Sequence, residues 1–198
     1  MCIRDRLWNE DLPRHTVVGA DGRRAEITVI AGELAGVRPP PPPPDSWGAR
    51  TESDLAIWHL VLEPGAQLTL PAAHGPDTIR TLYVFEGSAR VDDHEIVSPT
   101  GAVLRTDEPV EITAGSQQSE ALVLQGRPIG EPVAQYGPFV MNDRAGIQQA
   151  LADYQATGFG GWPWPTDDPV HPREAGRFAR QVDGRLERRS VPEGVAPR

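Results

Sequence analysis

The feature that most constrains this chain is a rhythm of short β-rich runs punctuated by Gly, Pro and Asp. Runs at Gln67 to Leu70, Ile79 to Phe85, Ser88 to Val91, Glu95 to Val97, Ala102 to Leu104, Val110 to Thr113 and Ala121 to Leu124 follow one another at close spacing. Such spacing predicts an all-β barrel or sandwich. Ahead of them, Leu55 to Leu62 is a near-continuous apolar run ending in the turn Glu63-Pro64-Gly65, which reads as a central strand. Between Thr16 and Ile30 two β-rich runs flank Ala20-Asp21-Gly22-Arg23, so the chain opens with a hairpin. The 20 glycines and 21 prolines among 198 residues supply the turns such a fold needs.

Pro39 to Pro44 cannot donate backbone hydrogen bonds and favours polyproline II, so it is expected outside the sheets as a stiff connecting loop. The alternative, a ligand for an aromatic-lined adaptor groove, has only Arg38 as a basic anchor. One helix is expected over 143–158. Asn142 or Asp143 caps it, Ile147, Ala150, Leu151 and Tyr154 share a face, and Gly158 ends it. Residues 7–142 are read as the barrel and 159–198 as an extended Trp- and Pro-rich tail. Trp162 and Trp164 are costly to leave in water and are expected to dock on the barrel or on a partner. Met1 to Arg6 reads as a non-native start.

Composition removes several classes of function. A formal charge of −9 opposes direct nucleic-acid binding, which needs clustered Lys and Arg. No apolar run approaches bilayer-spanning length and the first residues lack a signal-peptide core, so a cytoplasmic location without membrane association is expected. The single cysteine, Cys2, excludes an internal disulfide and a multi-thiolate metal site. The chain has no Gly-x-Ser-x-Gly elbow, phosphate loop or dinucleotide fingerprint, and the only serine near a histidine is Ser98 after His94.

Small barrels of this rhythm hold a metal through the cupin signature: two histidines one residue apart after a glycine turn, then a glutamate, then a further histidine after Pro-x-Gly. Alternate strand residues point to one side, so such histidines converge on a shared ion. Laid on this chain from Gly65, Gly87 and Pro99-x-Gly101, the pattern puts Pro71 and Ala73 at the histidine positions, Arg80 at the glutamate and Leu104 at the last histidine. None is a metal ligand. The five histidines, His15, His59, His74, His94 and His171, show no ligand spacing. His74 lies one residue from an expected ligand position, and Asp92-Asp93-His94-Glu95 reads as a hairpin tip. His59 is expected to face solvent or a partner. No catalytic, cofactor-binding or metal-ligating residue is expected in this chain.

Residues 125–142, Gln-Gly-Arg-Pro-Ile-Gly-Glu-Pro-Val-Ala-Gln-Tyr-Gly-Pro-Phe-Val-Met-Asn, and the helix that carries Ile147-Gln148-Gln149-Ala150 and Asp153-Tyr154, resemble the C-terminal half of pirins. Leu7-Trp8, Leu12-Pro13, Val29-Ile30-Ala31-Gly32 and Leu62-Glu63-Pro64-Gly65-Ala66 match in order, and Phe159-Gly160-Gly161-Trp162-Pro163-Trp164-Pro165 is similar to the tails of bacterial members. The resemblance implies a cupin, jelly-roll-like β-barrel. Pirins are two-barrel proteins whose N-terminal barrel holds iron through three histidines and a glutamate. Members act as quercetin dioxygenases or redox-sensitive transcription cofactors. The expectation is therefore a fragment: a non-catalytic, metal-free C-terminal barrel whose partner is a missing N-terminal cupin barrel. The competing reading is a metal-free cupin that binds a small molecule, or a protein-interaction scaffold.

Overall fold

In the computed structural model, residues 8–75, 77–162, 166, 171–180 and 184–190 are described. The chain divides by its internal contacts into two units, residues 1–133 and 134–198.

The first unit is two antiparallel sheets enclosing one core. A six-stranded sheet runs in the order β1 (Arg14–Val18), β2 (Arg24–Ala31), β3 (Ala56–Leu62), β10 (Ser119–Gly126), β5 (Ile79–Glu86), β8 (Thr100–Leu104). A four-stranded sheet runs β4 (Gln67–Leu70), β9 (Val110–Ala114), β6 (Ser88–Val91), β7 (His94–Val97). The two remain separate hydrogen-bonded sheets that face each other as a jelly roll. The strand runs read from the sequence match these elements closely, and β3 is an interior strand of the larger sheet, as its apolar run predicts.

Period-two burial explains why these segments are strands. In β3 Ala56, Trp58, Leu60 and Leu62 are buried and Ile57, His59 and Val61 are only partly so. Ile27, Leu60, Leu70, Leu82, Val84, Ile112 and Val123 fill the space between the sheets with almost no exposure. Each such side chain contributes roughly 1.5–3 kcal/mol by leaving water.

The β1–β2 hairpin is wider than a two-residue Asp-Gly turn. Gly19 N–H donates to the Arg23 carbonyl at 2.9 Å, and Asp21 Oδ1 accepts from the Arg23 N–H at 3.1 Å. Gly22, at φ +81°, supplies the left-handed residue the loop requires. The proline run lies outside both sheets, in the connection from β2 to β3. After it the chain makes two short 3-10 turns, Trp47–Ala49 and Thr51–Ser53, and reaches β3 through Asp54, itself left-handed at φ +46°.

The second unit contains the helix α1 (Arg144–Thr157). Asp143 caps it, its side chain accepting from the Gly146 N–H at 2.7 Å, and Gly158 closes it in the left-handed conformation. Ile147 and Ala150 are buried, Leu151 is half-buried and Tyr154 is exposed. Residues 134–142, placed with the barrel in the sequence reading, form the hairpin β11 (Ala134–Tyr136) and β12 (Phe139–Met141), which contacts α1. Phe139, Tyr154 and Phe159 make a three-ring cluster with centroids 5.3–6.1 Å apart. The polar tail also carries a short hairpin, β13 (Arg177–Arg180) with β14 (Leu186–Arg189), which its composition did not announce. Trp162 remains 59% exposed and donates its indole N–H to the Thr166 carbonyl at 2.8 Å. Trp164, Cys2 and Met1 to Arg6 lie outside the described residues. Among those described, no helix is long and apolar enough to cross a membrane.

Candidate functional site

The register of the larger sheet gathers the residues of interest at one end of the barrel. Leu104 of β8 lies opposite Arg80 of β5, Arg80 opposite Gln125 of β10, and Gln125 opposite Ala56 of β3. Parity turns this row inward: Arg80 alternates with Thr81, Tyr83 and Phe85 on the outer face and joins Leu82 and Val84 on the inner one. Arg80 is consequently buried, at 1% exposure.

Its guanidinium Nε donates to Gln125 Oε1 at 2.7 Å, and Gln125 Nε2 donates in turn to the Asp54 carbonyl at 3.0 Å. The Asp54 carboxylate is occupied elsewhere. Oδ2 accepts from Thr78 Oγ1 at 2.7 Å and from the His74 backbone N–H at 2.9 Å, and Oδ1 pairs with His74 Nδ1 at 3.0 Å. Burial pushes the Asp54 carboxyl upward, but the Thr78 and His74 hydrogen bonds and the His74 charge outweigh it and hold the group below the usual carboxylate range. For Arg80 burial is the larger influence and lowers the pKa, against the charge of Asp54, which raises it.

Above this row opens a cavity of about 380 Å³, walled by Trp58, Leu55, Gly32 and Pro71, with Arg80 and Gln125 at its base and Asp54 and His74 beside it. Trp58 is buried and its indole N–H reaches the Gly32 carbonyl at 3.5 Å. Gly32 sits at φ +73°, and a β-carbon there would overlap the Leu55 carbonyl oxygen, so only glycine lets the chain leave β2 this close to the start of β3.

The four cupin ligand positions are thus located. Pro71 is exposed at the rim, and the Ala73 N–H donates to the Thr106 carbonyl at 2.8 Å. Leu104 is buried beside Arg80. Three of the four have no donor atom on the side chain, and the fourth is a cation that would repel a metal ion, so these residues do not fit iron. His74 reaches the mouth with its side chain 93% exposed, while His59 lies on the outer face of the sheet, 3.1 Å from Glu120 and stacked on Phe85. His171 packs on Phe178. Asp92, left-handed at the β6–β7 turn, pairs with Arg105 at 3.2 Å. Among the described residues no group of three or more His, Cys, Asp or Glu side chains could hold a metal.

Asp54, Thr78 and Gln125 escaped the sequence reading because each is unremarkable alone. Arg80 carried a signal: within Ile79 to Phe85 it occupies the parity of Leu82 and Val84, which marks a charge aimed into the core.

Two facing antiparallel sheets of this connectivity, with a cavity at the end where the ligand positions gather, define a cupin. The chain belongs to the pirin family: a family model, the pirin C-terminal cupin domain, matches residues 57–160. A Pseudomonas aeruginosa protein provisionally named a quercetin 2,3-dioxygenase is 34% identical over 149 residues, covering 75% of this chain and 48% of that protein. A pirin-like protein of Caulobacter vibrioides is 40% identical over 106 residues, 54% of this chain and 37% of its own. The crystal structure of a quercetin 2,3-dioxygenase from Acinetobacter baumannii superposes with a TM-score of 0.59 at 32% identity, over 77% of this chain and 49% of that one. The chain spans about half the length of the Pseudomonas and Acinetobacter proteins it matches.

Proposed function

We propose that this chain is the non-catalytic C-terminal barrel of a pirin-type protein and works by packing against a second, iron-bearing cupin barrel. The whole protein would be a quercetin dioxygenase-type oxidoreductase or a redox-sensitive transcription cofactor, acting in the cytoplasm and without direct nucleic-acid contact. The observation that carries this reading is Arg80, a buried cation where a cupin places its ligand glutamate. A metal ion would face that charge with no compensating donor from Pro71, Ala73 or Leu104.

The outer face of the larger sheet supports the choice of partner. Ile79, Tyr83 and Phe85 of β5, Val103 of β8 and Leu124 of β10 are exposed apolar residues on one continuous face, Val103 at 77%. An exposed apolar sheet of this kind marks an interface. A barrel of similar size fits it, because the relatives are about twice as long as the stretch this chain matches.

The test is metal analysis and quercetin turnover by the purified chain after iron loading, together with co-purification with a separately encoded barrel bearing the His-x-His motif. The expected result is no stoichiometric iron, no flavonol cleavage and an equimolar complex that Tyr83→Glu with Leu124→Glu abolishes. Stoichiometric iron with quercetin cleavage by the chain alone overturns the proposal, as does failure of the two barrels to associate.

A further inference from the structure

The chemistry at the base of the cavity is unfinished. Arg80 Nε is satisfied by Gln125, but Nη1 is buried and has no hydrogen-bond partner among the described residues. The charge of Asp54 influences Arg80 only through its field, because both its carboxylate oxygens are held by Thr78 and His74. The other acid lining the cavity, Glu33, is paired with Arg38 at 2.7 Å. A buried guanidinium without a hydrogen-bonded anion is costly, and a protein retains one where something else completes it.

From this geometry we infer that the barrel mouth is a binding site for a small organic carboxylate, its anionic end received by Arg80 and its apolar body lying against Trp58 and Leu55. Gln125 holds Nε, which leaves the Nη groups of the fork for the ligand. These groups match the two oxygens of a carboxylate. The cavity of about 380 Å³ lies within the range of small-molecule sites. Its walls, a buried indole and a leucine, suit a planar or short apolar group rather than a bare inorganic ion. Asp54 works against binding by its charge, which favours a monoanion over a dianion.

Benzoate is the probe, with benzamide as its uncharged isostere and inorganic phosphate as the anion without an apolar body. Binding to the full chain is followed by calorimetry and by the NMR resonance of the Arg80 Nε–H, which needs no variant. The expected result is benzoate bound at least about tenfold more tightly than benzamide and phosphate, as a charge-assisted paired contact requires, with a shift of the Arg80 resonance. Arg80→Met, which keeps the length and removes the charge, abolishes the preference, and Asp54→Asn tightens benzoate binding. If Arg80→Met does not fold, the wild-type resonance decides alone. Equal affinity for benzoate and benzamide, an unmoved Arg80 resonance, or benzoate retained by a folded Arg80→Met protein overturns the inference; phosphate binding as tightly as benzoate would mean a simple anion site and overturns it too. None of these outcomes depends on whether a second barrel covers the outer sheet face.

Discussion

Gly32→Ala tests the local geometry that shapes the mouth of the barrel. Gly32 has φ +73°, and the added methyl would overlap the Leu55 carbonyl oxygen and lie 2.9 Å from the Ala56 Cα. The atoms in its way are backbone and the fixed Ala56 β-carbon at the start of β3, so nothing there can rotate aside. An alanine in the left-handed region costs about 1–2 kcal/mol, and forcing extra volume against packed backbone costs about 1–3 kcal/mol more. The sum, roughly 2–5 kcal/mol, lowers Tm by about 10 °C for a chain of this length. Gly36→Ala is the matched control, because Gly36 is also left-handed, at φ +81°, but has nothing within 4 Å of the position its β-carbon would take. It pays only the backbone cost of about 1–2 kcal/mol. Urea unfolding followed by tryptophan fluorescence, with calorimetry for Tm, measures both. Equal losses for the two variants would refute the close approach of Gly32 to β3.

Leu82→Ala, which empties a fully buried position between the sheets, should cost about 2–5 kcal/mol in the same urea assay, whereas Arg105→Ala, whose pairs with Asp92 and Glu108 are exposed, should stay within about 1 kcal/mol. Asp143→Ala removes the α1 cap at a cost of about 1 kcal/mol; hydrogen exchange should quicken at the start of α1 while the amides of β3 and β5 keep their protection. The Asp54 carboxyl has a folded pKa below its ordinary 3.8, so its stabilising effect is full above that value and fades as pH falls through and beneath it. Urea midpoints measured from neutral to acid pH should show this loss in the wild type and a flatter profile in Asp54→Asn.

Much of the barrel was legible in the chain, and for a local reason. β3, β5 and β10 announce themselves as short apolar runs of strand length bounded by turn residues, while the alternation between buried and less buried residues along them belongs to the folded sheet. Asp143 and Gly158 mark the ends of α1 by chemistry that acts within one turn. Which residues stand at the cupin ligand spacings was equally readable, because spacing is local: Pro71, Ala73, Arg80 and Leu104.

Tertiary structure decided the rest. The hairpins β11–β12 and β13–β14 are three- and four-residue strands with weak apolar alternation, too short for the pattern to stand out. Nor could spacing foresee that Asp54, Thr78, Arg80 and Gln125 meet, since they come from a loop, a strand entry and two strands distant in sequence. Sequence fixes which face of a strand a residue takes, through the two-residue pleat; only strand register decides which residues from elsewhere lie beside it. That is why Arg80 could be read as an inward charge from the chain alone, while its partner Gln125, and the buried Nη1 that has no partner among the described residues, required the folded barrel.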